Sequence, residues 1–79
     1  MKLPNKINTY KESVISKFPA VLEPLRTQDI PPDRLYISVK SKVEDIGEYM
    51  EIVDCLYALG AIDLDTDRGV LVYVNRNTV

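Results

Sequence analysis

Between residues 43 and 57, apolar side chains fall at Val43, Ile46, Met50, Val53, Leu56 and Tyr57. This is the three-and-four spacing of a helix that turns one face to a core. Gly60 stands just past the last of them, where glycine accepts the left-handed conformation that closes a helix. Ile62 and Leu64 resume with a period of two, so the helix hands over to a strand. The turn Thr66-Asp67-Arg68-Gly69 and the apolar run Val70 to Val74 complete a hairpin, with strands predicted over 61–65 and 70–74. Upstream, Tyr10, Val14, Phe18, Val21 or Leu22, and Leu25 stripe a first helix, and Thr9 with Glu12 fits a capping box at its start. Pro19 and Pro24 interrupt that helix, which predicts a kink near Phe18, either a bend that wraps the core or the wall of a groove for a partner. Pro31 and Pro32 end a polar connector and open a second helix over 32–42, with Leu35, Val39 and Val43 inward. The pattern is mainly α with a small β-hairpin: a winged helix-turn-helix of three helices, the first kinked, forming one domain over 1–79.

The polar positions add a sign to this outline. On the third helix, predicted over 44–59, Glu44, Asp45, Glu48, Glu51 and Asp54 fall within one half of the circumference, so its exposed face reads as wholly acidic. The run Val70 to Val74 does not alternate with polar residues, and such a strand is usually covered on both faces. Cover comes either from another chain or from helix one, with the second face then left exposed. The tail Asn75 to Val79 is expected to fray.

Composition narrows the class. A chain of 79 residues supports one small core, and 46% hydrophobic with 28% charged residues is globular composition. No apolar run approaches the roughly 20 residues that span a bilayer, and MKLPNKINTY lacks the apolar segment of a secretory signal, so a soluble, cytoplasmic protein is expected. The net charge of -2 conceals a division. Met1 to Lys42 holds eight basic and four acidic residues, whereas Val43 to Val79 holds two basic and eight acidic ones. The single Cys55, on an apolar-rich helix, reads as a packing residue rather than a nucleophile.

Catalytic chemistry finds little footing. There is no histidine, and Gly47, Gly60 and Gly69 do not make a phosphate loop. Asp63, Asp65 and Asp67 resemble the start of a calcium loop, but Arg68 stands where the turn glycine belongs and Val74 where the closing glutamate would fall. A solvated hairpin edge is the better account. No enzymatic activity, cofactor or metal is expected. Groove recognition of DNA by the third helix is disfavoured too, because no Lys or Arg lies between Val43 and Asp67. Contacts from the basic half, through Lys11, Lys17, Arg34, Lys40 and Lys42, stay open.

The phrases LPNKINTYKESVISKFPAVLEPL, DRLYISVK, EYMEIVDCLYALGAIDLD and GVLVYV, which cover nearly the whole chain, resemble the small middle components of bacterial ABC-three-component conflict systems. These overlap with Lamassu-type antiphage defence. The resemblance implies a winged-helix component that joins or regulates an SMC- or Rad50-like ABC ATPase and a variable effector, often a nuclease. It offers no catalytic motif to transfer.

Charge, hairpin and resemblance converge on a non-catalytic adaptor. The expected protein interface is Glu44, Glu48 and Glu51 on the third helix with Val70, Val72 and Val74 on the last strand, which could add to a partner's sheet edge. Charge reversal at Glu48 and Glu51 is expected to weaken assembly without unfolding the domain. The alternatives are a winged-helix DNA-binding transcriptional regulator that uses the basic half, and a homo-oligomer that pairs through its own wing.

Overall fold

The computed structural model describes residues 11–74. The Thr9 cap, Tyr10 and the tail over 75–79 lie outside the described residues. The first helix is bent into two limbs, α1 over residues 11–16 and α2 over Phe18–Leu25. The break falls at Lys17, whose N–H donates to the Val14 carbonyl three residues back at 3.1 Å. Pro19 sits in the first turn of α2, where a missing N–H costs no intrahelical bond. Pro24 removes a donor near the other end, and the helix closes one residue later. Val14, Val21 and Leu25 are buried along the bend and Phe18 packs half-buried against the same core, so the kink wraps that core.

Helix α3, Pro32–Val39, continues as a 3-10 turn over Lys40–Lys42, with Leu35 and Val39 inward. Helix α4, Ile46–Ala58, is the longest among the described residues. It ends in a Schellman motif: Gly60 has φ 81°, its N–H donates to the Tyr57 carbonyl at 3.0 Å, and the Ala61 N–H reaches the Leu56 carbonyl at 2.9 Å. Strands β1, Ile62–Asp65, and β2, Val70–Tyr73, pair antiparallel, with Leu64 opposite Leu71 and Asp65 opposite Val70. These elements form the winged helix-turn-helix that the periodicity predicts.

Two expectations change. The buried face of α4 is Glu48, Tyr49, Ile52 and Leu56, so Ile46, Met50 and Tyr57 face out. The large apolar residues of this helix span an arc of about 160°, wider than the core covers, so periodicity does not choose which side of that arc is buried; packing against α2 and β1 does. In addition, β2 is not an open edge. Ile30, in the connector before α3, bridges it from the side opposite β1, donating its N–H to the Leu71 carbonyl at 3.2 Å and accepting the Leu71 N–H at 2.8 Å. Helix α2 packs against β2, so its cover comes from the first helix of the same chain. The fully buried Ile52, Leu56 and Ile62 tie helix to hairpin, each contributing roughly 1.5–3 kcal/mol.

Candidate functional site

Helix α4 presents two different faces, and the inward one carries a charge. Asp45 caps the helix by accepting the Glu48 N–H at 2.9 Å, and the Glu48 carboxylate reaches back to accept the Glu44 N–H at 2.7 Å. This is a reciprocal cap of the Asp-x-x-Glu kind. The carboxylate also meets the Lys17 ammonium at 2.7 Å and receives the Ser13 hydroxyl at 3.5 Å, which leaves Glu48 only 5% exposed beneath the bend of the first helix. Burial alone would raise its pKa; the hydrogen bond from Lys17, the Glu44 N–H, the Lys17 charge and the Ser13 hydroxyl together outweigh that and hold it below the ordinary carboxylate range.

Neither Glu48 nor Lys17 stands where the sequence places it. Glu48 is not part of an exposed acidic face, because its side chain caps the helix and pins the kink. The half-buried Lys17 is held by that carboxylate rather than presented to a phosphate. The signal for this arrangement was present as Asp45-x-x-Glu48, a capping pattern directly before an apolar run.

Beside Glu48, Tyr49 donates its hydroxyl to the Pro32 carbonyl at 2.7 Å and packs its ring 5.1 Å from that of Tyr36. Burial, with Asp33 nearby, pushes the Tyr49 pKa up to about 12.

The outward face of α4 carries an apolar stripe. Ile46, Met50, Val53 and Tyr57 fall within a sector of about 60°, and Ile46, Met50 and Tyr57 are 54%, 57% and 57% exposed. Val53 and Tyr57 continue into a groove of about 400 Å³ between α4, Pro32 and the wing, where Leu64 and Leu71 form the far wall and Asp54 a rim. Glu51 and Asp54 are exposed on the same helix and Glu44 just before its cap, and no Lys or Arg pairs with them among the described residues. Lys11, on α1, shares a shallow cleft with Glu51 and Cys55.

The remaining expected residues lie elsewhere. Alternation along the strands puts Val70 and Val72 on the side of the hairpin opposite Leu64 and Leu71, so they do not join Glu44 and Glu51 in one surface. Both are half-buried, while Val74 is exposed. The outer edge of the sheet belongs to β1, where the Asp63 carboxylate accepts the Leu64 N–H at 2.8 Å. Arg34, Lys40 and Lys42 are exposed on α3 and the turn after it. Arg68, the cation of the wing, is occupied by Asp29 at 2.6 Å and Asp65 at 2.8 Å. Hydrogen bonds from Arg68, first through its side chain and then its backbone, lower the Asp65 pKa. Asp65 also accepts the Asp67 and Arg68 N–H groups, so the carboxylates of the wing organise a turn.

Among the described residues, no helix is long and apolar enough to cross a membrane. The family model of the ABC-three component (ABC-3C) system Middle Component 7 matches residues 3–71. No curated protein and no solved structure matches the chain.

Proposed function

The chain belongs to the ABC-three component system Middle Component 7 family, and from that premise we propose that it is a non-catalytic adaptor. It joins an SMC/Rad50-like ABC ATPase to an effector, often a nuclease, in cytoplasmic antiphage defence of the Lamassu kind. The observation that carries this reading is the outward face of α4. In a DNA-reading winged helix the third helix enters the major groove, where cations meet phosphates and polar side chains meet base edges. The same helix here offers Ile46, Met50, Val53 and Tyr57 with Glu51 and Asp54 beside them. An exposed apolar stripe beside carboxylates suits a protein partner and opposes a polyanion. Of the five cations named for the alternative, a DNA-binding regulator, Lys11, Arg34, Lys40 and Lys42 remain exposed, whereas Lys17 is held by a carboxylate.

The test is purification of the tagged chain from its native host with and without nuclease. The adaptor reading predicts an ABC ATPase and an effector in stoichiometric amounts after nuclease treatment. Recovery with DNA alone would replace it with the regulator.

A further inference from the structure

We propose that the groove between α4 and the wing receives a basic amphipathic helix of a partner protein, an inference that rests on the adaptor reading and names its partner's chemistry. The stripe from Ile46 to Tyr57 runs along three turns of α4, roughly 16 Å at 1.5 Å per residue. That length matches a partner helix presenting apolar side chains at i, i+3 or i+4, i+7 and i+11. Tyr57, Val53 and Leu64 form the deep end of the site, and Met50 and Ile46 extend it along the helix.

Two observations choose a helix over a strand. At Leu71 the β2 strand is bonded on both edges, and on β1 the Leu64 N–H is taken by the Asp63 carboxylate. A strand would find these groups occupied, whereas a helix satisfies its own backbone and needs only side-chain contact. Charge then specifies the composition. Asp54 rims the groove and Glu51 lies one turn back, on the flank of α4 towards the cleft that holds Lys11, and neither has an ion-pair partner among the described residues. A helix with Lys or Arg along one side of its apolar ridge supplies those partners, and an acidic one would be repelled.

A second copy of the chain does not fit as occupant. Among the described residues α3 exposes one large apolar side chain, Ile37, and α1 exposes one, Ile15, so the ridge of three that a second copy could bring is α4 itself, and α4 against α4 would set Asp54 and Glu51 against the same carboxylates of the other copy.

The experiment uses the complex recovered with the full chain. A photo-crosslinking residue at position 50 or 57 maps the occupant by mass spectrometry. Glu51→Lys with Asp54→Lys then tests the charge, with Ile37→Glu, which lies outside the groove, as a control. The expected result is a single partner segment, apolar at three-and-four spacing and flanked by Lys or Arg. The double reversal should weaken it about tenfold, and reversing the basic residues of that segment should restore binding. Crosslinks to a strand, an acidic segment, DNA or a second copy of the chain would overturn the proposal, as would an affinity that the double reversal leaves unchanged. Those outcomes leave the adaptor reading standing. A chain that recovers neither ATPase nor effector takes both down.

Discussion

On the inward face of α4 a carboxylate, Glu48, is covered by the bent first helix and meets Lys17 at 2.7 Å, while Tyr49, Ile52 and Leu56 fill the core around it. On the outward side Glu51 and Asp54 are exposed and form no ion pair among the described residues, and Ile46, Met50 and Tyr57 are left more than half exposed by those residues. The same residue types are thus used in opposite ways on one helix. Inside, charge is matched and apolar surface is closed. Outside, both are left open, which a free monomer gains nothing by keeping. The difference separates what holds the domain together from what is available to a partner, and it separates Glu48 from Glu51 although they are three positions apart.

Substitutions on the inward face should cost stability in proportion to what they uncover. Ile52 is fully buried, so Ile52→Ala should destabilise by about 3 kcal/mol, a large share of what a domain this size holds in reserve. Thermal unfolding checks it, and assembly should fail only where the domain has melted. Glu48→Ala should cost about 2 kcal/mol, because it takes away the acceptor of the Glu44 N–H and leaves the half-buried Lys17 ammonium without its partner, while the Asp45 cap on the residue-48 N–H remains. The pKa of Glu48 is held below its unfolded value of 4.5, so its contribution is present above pH 4.5 and is lost as acidification passes through the lower folded value. Glu48→Gln should remove that part of the acid sensitivity, as pH-dependent melting would reveal. The effect of Glu48 on assembly therefore runs through folding, in contrast to the expectation that its reversal spares the domain.

A smaller loss is expected at Tyr49. Replacing it with Phe keeps the ring against Tyr36 and removes the hydroxyl bonded to Pro32, at a cost of about 1 kcal/mol. With its pKa raised from 10.0 to about 12, this tyrosine stabilises the fold below pH 10 and loses its contribution as pH climbs towards 12. Melting curves of Tyr49→Phe should be flatter across that window than those of the parent; identical slopes would show that the phenol titrates alike in the folded and unfolded chain.

The contrast between the faces also marks what could be read from the sequence. The hairpin, its four-residue turn and the stop at Gly60 are set by short-range chemistry, and their predicted boundaries agree with the strands to within one residue. The kink follows from Pro19 in the same way. The facing of α4 does not, because its apolar residues make two stripes, Ile46-Met50-Val53-Tyr57 and Tyr49-Ile52-Leu56. Only contact with α2 and β1 decides which is buried. Tyr49 joins the core because a carbonyl 17 positions upstream accepts its hydroxyl, and no local pattern carries that. The pairing of Ile30 with β2 is hidden for the same reason, since a single bridge leaves no periodicity. The acidic exposed face was legible for Glu51 and Asp54, and wrong for Glu48 because proximity to Lys17 is a tertiary fact.

On the outward face the same kind of substitution should leave folding alone and act on assembly. Met50→Glu places a charge on a side chain that is 57% exposed, so stability should change by no more than about 0.5 kcal/mol. A glutamate in the middle of the apolar stripe should nonetheless weaken a docked partner by about a hundredfold. The decisive measurement compares the melting temperature of Met50→Glu with its recovery of the ABC ATPase and effector from the native host. The account predicts a melting temperature close to that of the parent and loss of at least one partner. A folded Met50→Glu chain that recovers both partners at parental levels would contradict it, and would move the interface off α4.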